Sequence, residues 1–179
     1  MGSTSDNVIT GGLGNDLIWG DSGNDVIYAN QGYDKAYGEN GDDTFYVSNA
    51  AVNLPTLVDG GGDSTLNNGG GDTLVLQGLT TGSYSLSPLA GVTNYMEILN
   101  IRGDGADTEL SVTSADIRAF VDGGNASRLV IKADAGGDSL VINTAAGETV
   151  QTVSVDAGAT DYLVFNAGVQ VAQIHWQAA

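Results

Sequence analysis

The chain is 179 residues long, room for one substantial domain or two small ones, and 22 acidic against 5 basic side chains set its net charge at −17. An acid excess of that size excludes nucleic acid as a partner, because a phosphate backbone needs a basic footprint, and it speaks against anionic membrane surfaces. Cysteine is absent, which excludes disulfides and thiolate metal sites, while 41% hydrophobic content excludes a disordered acidic tail. The 27 glycines without a collagen period point to many tight turns. No apolar run approaches a membrane span, and no N-terminal secretory leader is read.

From Gly11 the chain reads in nines: GGLGNDLIW, GDSGNDVIY, ANQGYDKAY, GENGDDTFY, with a weaker copy, GSTSDNVIT, ahead of them. Position six is Asp16, Asp25, Asp34 and Asp43, with Asn7 in the leading copy. Position eight is Ile9, Ile18, Ile27, Ala36 and Phe45, and position four is Gly14, Gly23, Gly32 and Gly41, with Ser5 leading. Six residues rich in Gly, Asn and Asp predict a turn, because Gly and Asn tolerate positive φ. Three residues then predict a short strand, with position eight facing in and its neighbours out. Two such units close one coil, so repeats two apart stack. One aliphatic residue per half-coil is a thin core. The stacking also sets each Asp near the Asp two repeats on, and adjacent carboxylates repel unless a cation lies between them. Carboxylate and carbonyl oxygens on flexible Gly turns suit Ca²⁺ better than Mg²⁺, which demands a stricter octahedron. In a chain without Cys, the ion is also the available staple.

These nonamers resemble the repeats-in-toxin (RTX) family, whose pattern is GGxGxDxUx, over roughly the first quarter of the chain. The resemblance implies a parallel β-roll with Ca²⁺ held between turns. By that resemblance an ion takes the carbonyls of positions two and four and the Asp of one repeat. It also takes the carbonyls of positions one and three and the Asp of the repeat two further on. Carried onto this sequence, one site is Gly12, Gly14 and Asp16 with Ala29, Gln31 and Asp34. A second is Asp21, Gly23 and Asp25 with Gly38, Asn40 and Asp43. A poorer third is Ser3, Ser5 and Asn7 with Gly20, Ser22 and Asp25, since Asn7 replaces an acid. Lys35 and Ala36 weaken the fourth strand.

Position nine is Trp19, Tyr28, Tyr37 and Tyr46. Stacking two apart sets Trp19 over Tyr37 and Tyr28 over Tyr46, facing outward. Cross-strand aromatic pairing that stiffens short strands is one reading; a Trp19/Tyr37 platform for a sugar or partner is the other. From Val47 the period fails, and Ser48 to Pro55 reads as a loop. Gly/Asp turns return at Asp59 to Asp63 and at Gly69 to Asp72, with Asp72 at position six and Leu74 at eight. Asp59, Asp63 and Asp72 are candidate ligands there, against the alternative of solvated loops. After Leu76, segments such as TLVLQGL, YMEILNIRG, TELSVT, RLVIKAD, DSLVINT, TVQTVSVD, DYLVFN and VQVAQIHW alternate apolar and polar, which predicts strands. One short helix is predicted over Ala115 to Val121, capped by Ser114 and stopped near Gly123. A phrase ending x-D-x-L-V recurs at Asp72, Asp138 and Asp161, degraded at Asp107, which suggests a roll continued with larger rungs or a docked sandwich.

The order MEILNIRGDGADTELSVTSADIRAF, RLVIKADAGGDSLVI, DYLVFNAGVQVAQIHW resembles the segment after the nonamers at the C-terminus of large bacterial RTX adhesins. That resemblance implies a C-terminal signal for type I secretion. Enzyme motifs are missing: the single His175 has no second His for a zinc protease, and neither HExxH nor GxSxG occurs. Arg102-Gly103-Asp104 spells an integrin tripeptide that a Gly/Asp-rich turn produces by chance. The expectation is therefore an all-β chain: a roll over 2–46, a loop and further Gly/Asp turns over 47–76, and a C-terminal β domain over 77–179. Its expected role is non-enzymatic: a Ca²⁺-binding module of a secreted or surface-bound Gram-negative adhesin. Its expected partners are calcium ions, the type I secretion machinery and, through the full-length protein, a cell-surface or glycan ligand. An accessory module of a secreted enzyme and a carbohydrate-binding module are the alternatives.

Overall fold

The computed structural model describes residues 1–30, 32–48, 54–61, 71–102, 107–121, 127–135, 137–156 and 159–178. The fold is all-β, with parallel sheets and, among the described residues, two short helices. The chain divides into two compact units, Met1–Gly78 with Val92–Leu99 and Leu79–Gly91 with Asn100–Ala179.

The first unit is a parallel roll. Its strands in chain order are β1 (Val8–Thr10), β2 (Leu17–Ser22), β3 (Val26–Tyr28), β4 (Lys35–Asn40), β5 (Thr44–Ser48), β6 (Leu57–Asp59) and β7 (Thr73–Gln77). After β8 (Gly82–Ser85) and the four-residue helix α1 (Ser87–Ala90), β9 (Thr93–Asn94) and all but the last residue of β10 (Ile98–Asn100) complete it. In one sheet β1, β3, β5, β7 and β10 lie side by side; in the other, β2, β4, β6 and β9. Val8 stands opposite Val26 and Val26 opposite Thr44, a step of 18 residues, or two nonamers. Beyond the repeats the step lengthens: Lys35 pairs with Leu57, and Thr44 with Thr73. Position eight faces in as alternation requires, so Ile18, Ile27, Ala36, Phe45, Val58 and Leu74 are buried. Both aromatic pairs are stacked, Trp19 on Tyr37 with centroids 6.0 Å apart and Tyr28 on Tyr46 at 4.7 Å.

In the second unit follow β11 (Thr108–Thr113), α2 (Ser114–Phe120), β12 (Ser127–Ala133), β13 (Ser139–Asn143), β14 (Glu148–Asp156), β15 (Ala159–Asn166) and β16 (Val169–Ala178). Strands β8, β11 and β13 form a parallel sheet, and β12 pairs parallel with β16. Strands β16, β15 and β14 then run as an antiparallel meander. Its tight turn sets Ala167 and Gly168 at φ 50° and 81°, the two positive-φ central positions of a two-residue hairpin. Leu86, Leu110, Ile117, Phe120, Leu129, Ile131, Val164 and Ile174 fill the core.

Two expectations are corrected here. Among the described residues there are two helices rather than one, and Thr113, not Ser114, caps α2. Thr113 is still extended (φ −115°, ψ 164°); its Oγ1 accepts the Asp116 N–H, and Asp116 Oδ2 accepts the Thr113 N–H at 2.8 Å. That reciprocal pair is a capping box. Ser114 is already helical, and its hydroxyl donates to Glu148 Oε1 at 2.6 Å. With the Ala145 N–H on its other oxygen, this bond holds the Glu148 carboxyl below its ordinary range. The predicted stop near Gly123 lies outside the described residues; the helix ends at Phe120, with Val121 as its C-cap. The Arg102 guanidinium is spent on the carbonyls of Ala133 and Gln177, both at 3.1 Å. Gly103 and Asp104 of the tripeptide lie outside the described residues. Thr113→Ala should cost about 1 kcal/mol of stability, read as a lowered urea midpoint in the presence of Ca²⁺.

Candidate metal centre

The roll places an acid, or Asn in its first coil, immediately before most of its strands. On one side these are Asn7, Asp25, Asp43, Asp72 and Glu97, preceding β1, β3, β5, β7 and β10; on the other, Asp16 and Asp34 precede β2 and β4. They interlock through the backbone. The Asn7 N–H donates to Oδ1 of Asp25 at 2.7 Å, Asp25 N–H to Asp43 Oδ1 at 2.7 Å, and Asp43 N–H to Asp72 Oδ1 at 2.7 Å. On the other side the Asp16 N–H donates to Asp34 Oδ1 at 2.9 Å. Position five carries a second ladder of opposite polarity. There Asn24 N–H donates back to Asp6 Oδ1 at 2.8 Å, Tyr33 to Asn15 Oδ1 at 3.0 Å, and Asp42 to Asn24 Oδ1 at 3.0 Å. Exposed Asp42 thus serves a turn by its N–H.

Asp25 and Asp34 each accept a backbone N–H on Oδ1 and turn Oδ2 elsewhere. Oδ2 of Asp16, Asp25 and Asp34 is buried and meets no hydrogen-bond donor. A bare carboxylate oxygen out of water is costly, so these atoms are poised for a cation. The glycines show where it fits. A β-carbon at Gly20 would overlap Oδ2 of Asp25 and the carbonyl oxygen of Gly38. One at Gly38 would overlap Asp43 Oδ2 and the Gly60 carbonyl. Each glycine keeps open a cradle walled by a carboxylate and a carbonyl from the next rung. Among the described residues no three acid or imidazole side chains converge; an ion here draws on backbone carbonyls beside its carboxylates, as hard oxygen-seeking Ca²⁺ accepts. The residues present fit the ion.

Burial raises the Asp25 and Asp34 carboxyls above their ordinary range. The N–H each accepts pulls the other way, and neighbouring carboxylates, Asp6 and Asp21 for Asp25 and Asp16 for Asp34, push them further up.

The expected ligands fall as follows. Gly12 and Gly14 sit at φ 95° and 119° in the turn before Asp16, and the Gly14 carbonyl lies against Gly32. Ala29 is buried with its N–H on the Tyr46 carbonyl, while Gln31 lies outside the described residues. In the second set Asp21, at φ 82°, pairs with Glu39, and the Asn40 carbonyl already accepts the Gly23 N–H at 2.9 Å. In the third, Asn7 Oδ1 is taken by the Ser3 N–H at 2.6 Å, Ser5 Oγ meets Ser3 Oγ, and the Ser22 N–H donates to the Ser3 carbonyl. Asp72 enters the ladder. Asp59 does not: it ends β6 opposite Tyr37, at position nine, and accepts a long bond from Asn94. Asp63 lies outside the described residues.

Glu97 escaped the sequence reading, although an acid directly before the YMEILN strand's apolar residues was the available sign. In the second unit Asp138 repeats the device, its Oδ1 taking the Thr108 N–H at 2.9 Å, but Oδ2 is used by the Asp134 N–H. Asp161, of the same recurring phrase, instead lies within antiparallel β15 and meets His175 Nδ1 at 2.6 Å.

Gly20→Ala should weaken Ca²⁺ binding at least tenfold, about 1.4 kcal/mol, by calorimetric titration. In chelator, the raised Asp25 and Asp34 carboxyls mean that the folded roll holds protons the unfolded chain has released. In chelator the β signal of the open chain should then grow as pH falls towards the carboxylate range, measured by circular dichroism, and in saturating Ca²⁺ it should shrink as the same carboxyls take up protons and release the ion.

Two overlapping stretches, residues 1–36 and 19–49, match the family model of the RTX calcium-binding nonapeptide repeat (4 copies). No curated protein matches the chain. The ladder of acids, the glycine cradles and this match agree: residues 1–49 are RTX calcium-binding nonapeptide repeats.

Proposed function

We propose that this calcium-binding module is a folding switch for export, carried at the C-terminal end of a type I-secreted adhesin on the surface of a Gram-negative bacterium. The observation that carries the reading is the set of buried carboxylate oxygens with no donor. At low cytosolic Ca²⁺ the stacked acids repel, and the Gly-rich chain stays open for passage through a channel. Outside, ions bound at about 10⁻⁴–10⁻³ M, the range of extracellular modules, convert binding energy into folding energy. The net charge of −17 supports the same sequence, since cations relieve repulsion in the compact state.

The module acts without catalysis in this reading, its acids serving as ion ligands and backbone acceptors. The adhesin assignment, its cell-surface or glycan target and the secretion machinery as partner rest on the likeness of the C-terminal phrases. Among the described residues no helix is long and apolar enough to cross a membrane. The aromatic geometry supports stiffening over a sugar platform. Trp19 and Tyr37 lie nearly parallel, 15° apart, so their facing surfaces are covered by each other.

Circular dichroism of the chain with chelator and with millimolar Ca²⁺ tests the switch. The β signal should appear on adding Ca²⁺ and be lost again in Asp25→Ala; an identical spectrum in chelator refutes folding on export.

A further inference from the structure

Asn40 ends β4, and the residue after it is Gly41, which has no side chain to shield its backbone nitrogen. Among the described residues no other asparagine precedes a glycine; Asn68-Gly69 lies outside them. The Asn40 side chain is exposed, and its Nδ2 donates a long bond to Ser22 Oγ at 3.3 Å. The backbone beside it is held more firmly. The Asn40 carbonyl accepts the Gly23 N–H at 2.9 Å, and the Asp42 N–H donates to Asn24 Oδ1 at 3.0 Å. Gly41, at φ 132°, lies so close to the Gly23 carbonyl that a β-carbon would overlap it. The peptide between Asn40 and Gly41 is thus pinned by the coil before it.

We infer that Asn40 is a site of spontaneous modification, closing on Gly41 to a succinimide that opens to aspartate or isoaspartate, and that folding of the roll shuts this reaction off. In ring closure the Gly41 nitrogen bonds to Cγ of Asn40 and the Cγ–Nδ2 bond breaks. The side-chain nitrogen leaves as ammonia, carrying the Gly41 amide proton. Water then adds at either ring carbonyl and leaves a carboxylate. Leu13, Ser22 and Gln31, which hold the same place in the other repeats, do not close this ring. Attack requires the Gly41 nitrogen to swing towards Cγ, and the Gly23–Asn40 bond with the nearby Gly23 carbonyl blocks that rotation. The open chain has no such restraint. Isoaspartate is the damaging product, because its backbone runs through Cγ and gains a methylene between β4 and Asp43. The Asp42 N–H and Asp43 Oδ1 then fall out of step with Asn24 Oδ1 and the Asp25 N–H. A chain kept waiting without calcium therefore loses the ability to build this coil.

The inference rests on the calcium-driven folding proposed above, and one experiment reads both. The full chain is aged at neutral pH in chelator and in millimolar Ca²⁺, then followed by circular dichroism and by peptide mass spectrometry that separates aspartate from isoaspartate. Conversion at Asn40 is expected in chelator and should be slowed about tenfold or more in Ca²⁺, because attack must wait for the turn to open. Asn40→Gln should show no conversion at this residue in chelator. Chains carrying isoaspartate should fail to regain the β signal when Ca²⁺ is added. Where the β signal does respond to Ca²⁺, absent conversion, or conversion equal in the two samples, overturns this inference alone, as does full refolding of the isoaspartate chain. A β signal that ignores Ca²⁺ overturns the folding switch beneath it.

Discussion

Everything in the roll follows from one carboxylate doing two things at once. Oδ1 must accept the N–H of the acid one coil earlier, because that N–H is buried in a turn with no strand partner. Oδ2 is thereby pointed into the roll, where water is excluded. The backbone bond orders the chain and the second oxygen creates the demand for a cation, so ordering and ion binding cannot be separated. Asparagine can occupy the same place in the backbone, as Asn7 does, but its amide oxygen then closes on the Ser3 N–H and it brings no charge.

The paired ladders at positions five and six also settle a problem of register. Three-residue strands specify their pairing weakly, and a slip of one residue would turn every inward aliphatic outward. Here neighbouring residues bond in opposite directions along the stack. Asp25 Oδ1 takes an N–H from the rung before, and Asn24 Oδ1 takes one from the rung after. A slipped chain would put a position-five side chain where a position-six acceptor is required and lose both bonds at every turn. Asn-Asp at adjacent positions therefore locks the stacking more tightly than one isoleucine per half-coil could.

This division of labour explains what could be read from the sequence. The acids, the turn glycines and the inward residues recur every nine, so roll, ion and stacked aromatics were all legible. Asp59 looked like a ligand because it opens a Gly-rich run, yet the register sets it at position nine, facing out. Glu97 went unread because its rung lies 25 residues from Asp72, too far for any period to flag. The cap of α2 was misplaced by one residue since Thr113 and Ser114 are equally good cap residues, and only Asp116, three places after Thr113, favours the first. His175 showed no partner in sequence; Asp161 reaches it through the β15–β16 register alone. The cap apart, the deciding fact in these misses was a pairing between distant segments, which local pattern does not encode.

The roll changes its source of cohesion along its length. Strands β1 and β3 have three residues each, and β3 buries a single inward aliphatic, Ile27. Strands β5 and β7 have five, and each buries two: Phe45 with Val47, and Leu74 with Leu76. Met96, Ile98 and Leu99 add to the interior in the final rung. The thicker core arrives where the acids vanish from one side and the turns grow long, so apolar burial takes over what the ions supply at the start. A roll built this way needs calcium most in its earliest coils and least in its last. Removing the ions should therefore open the nonapeptide end first, while the longer strands, held by buried Phe45, Leu74 and Leu76, give way last.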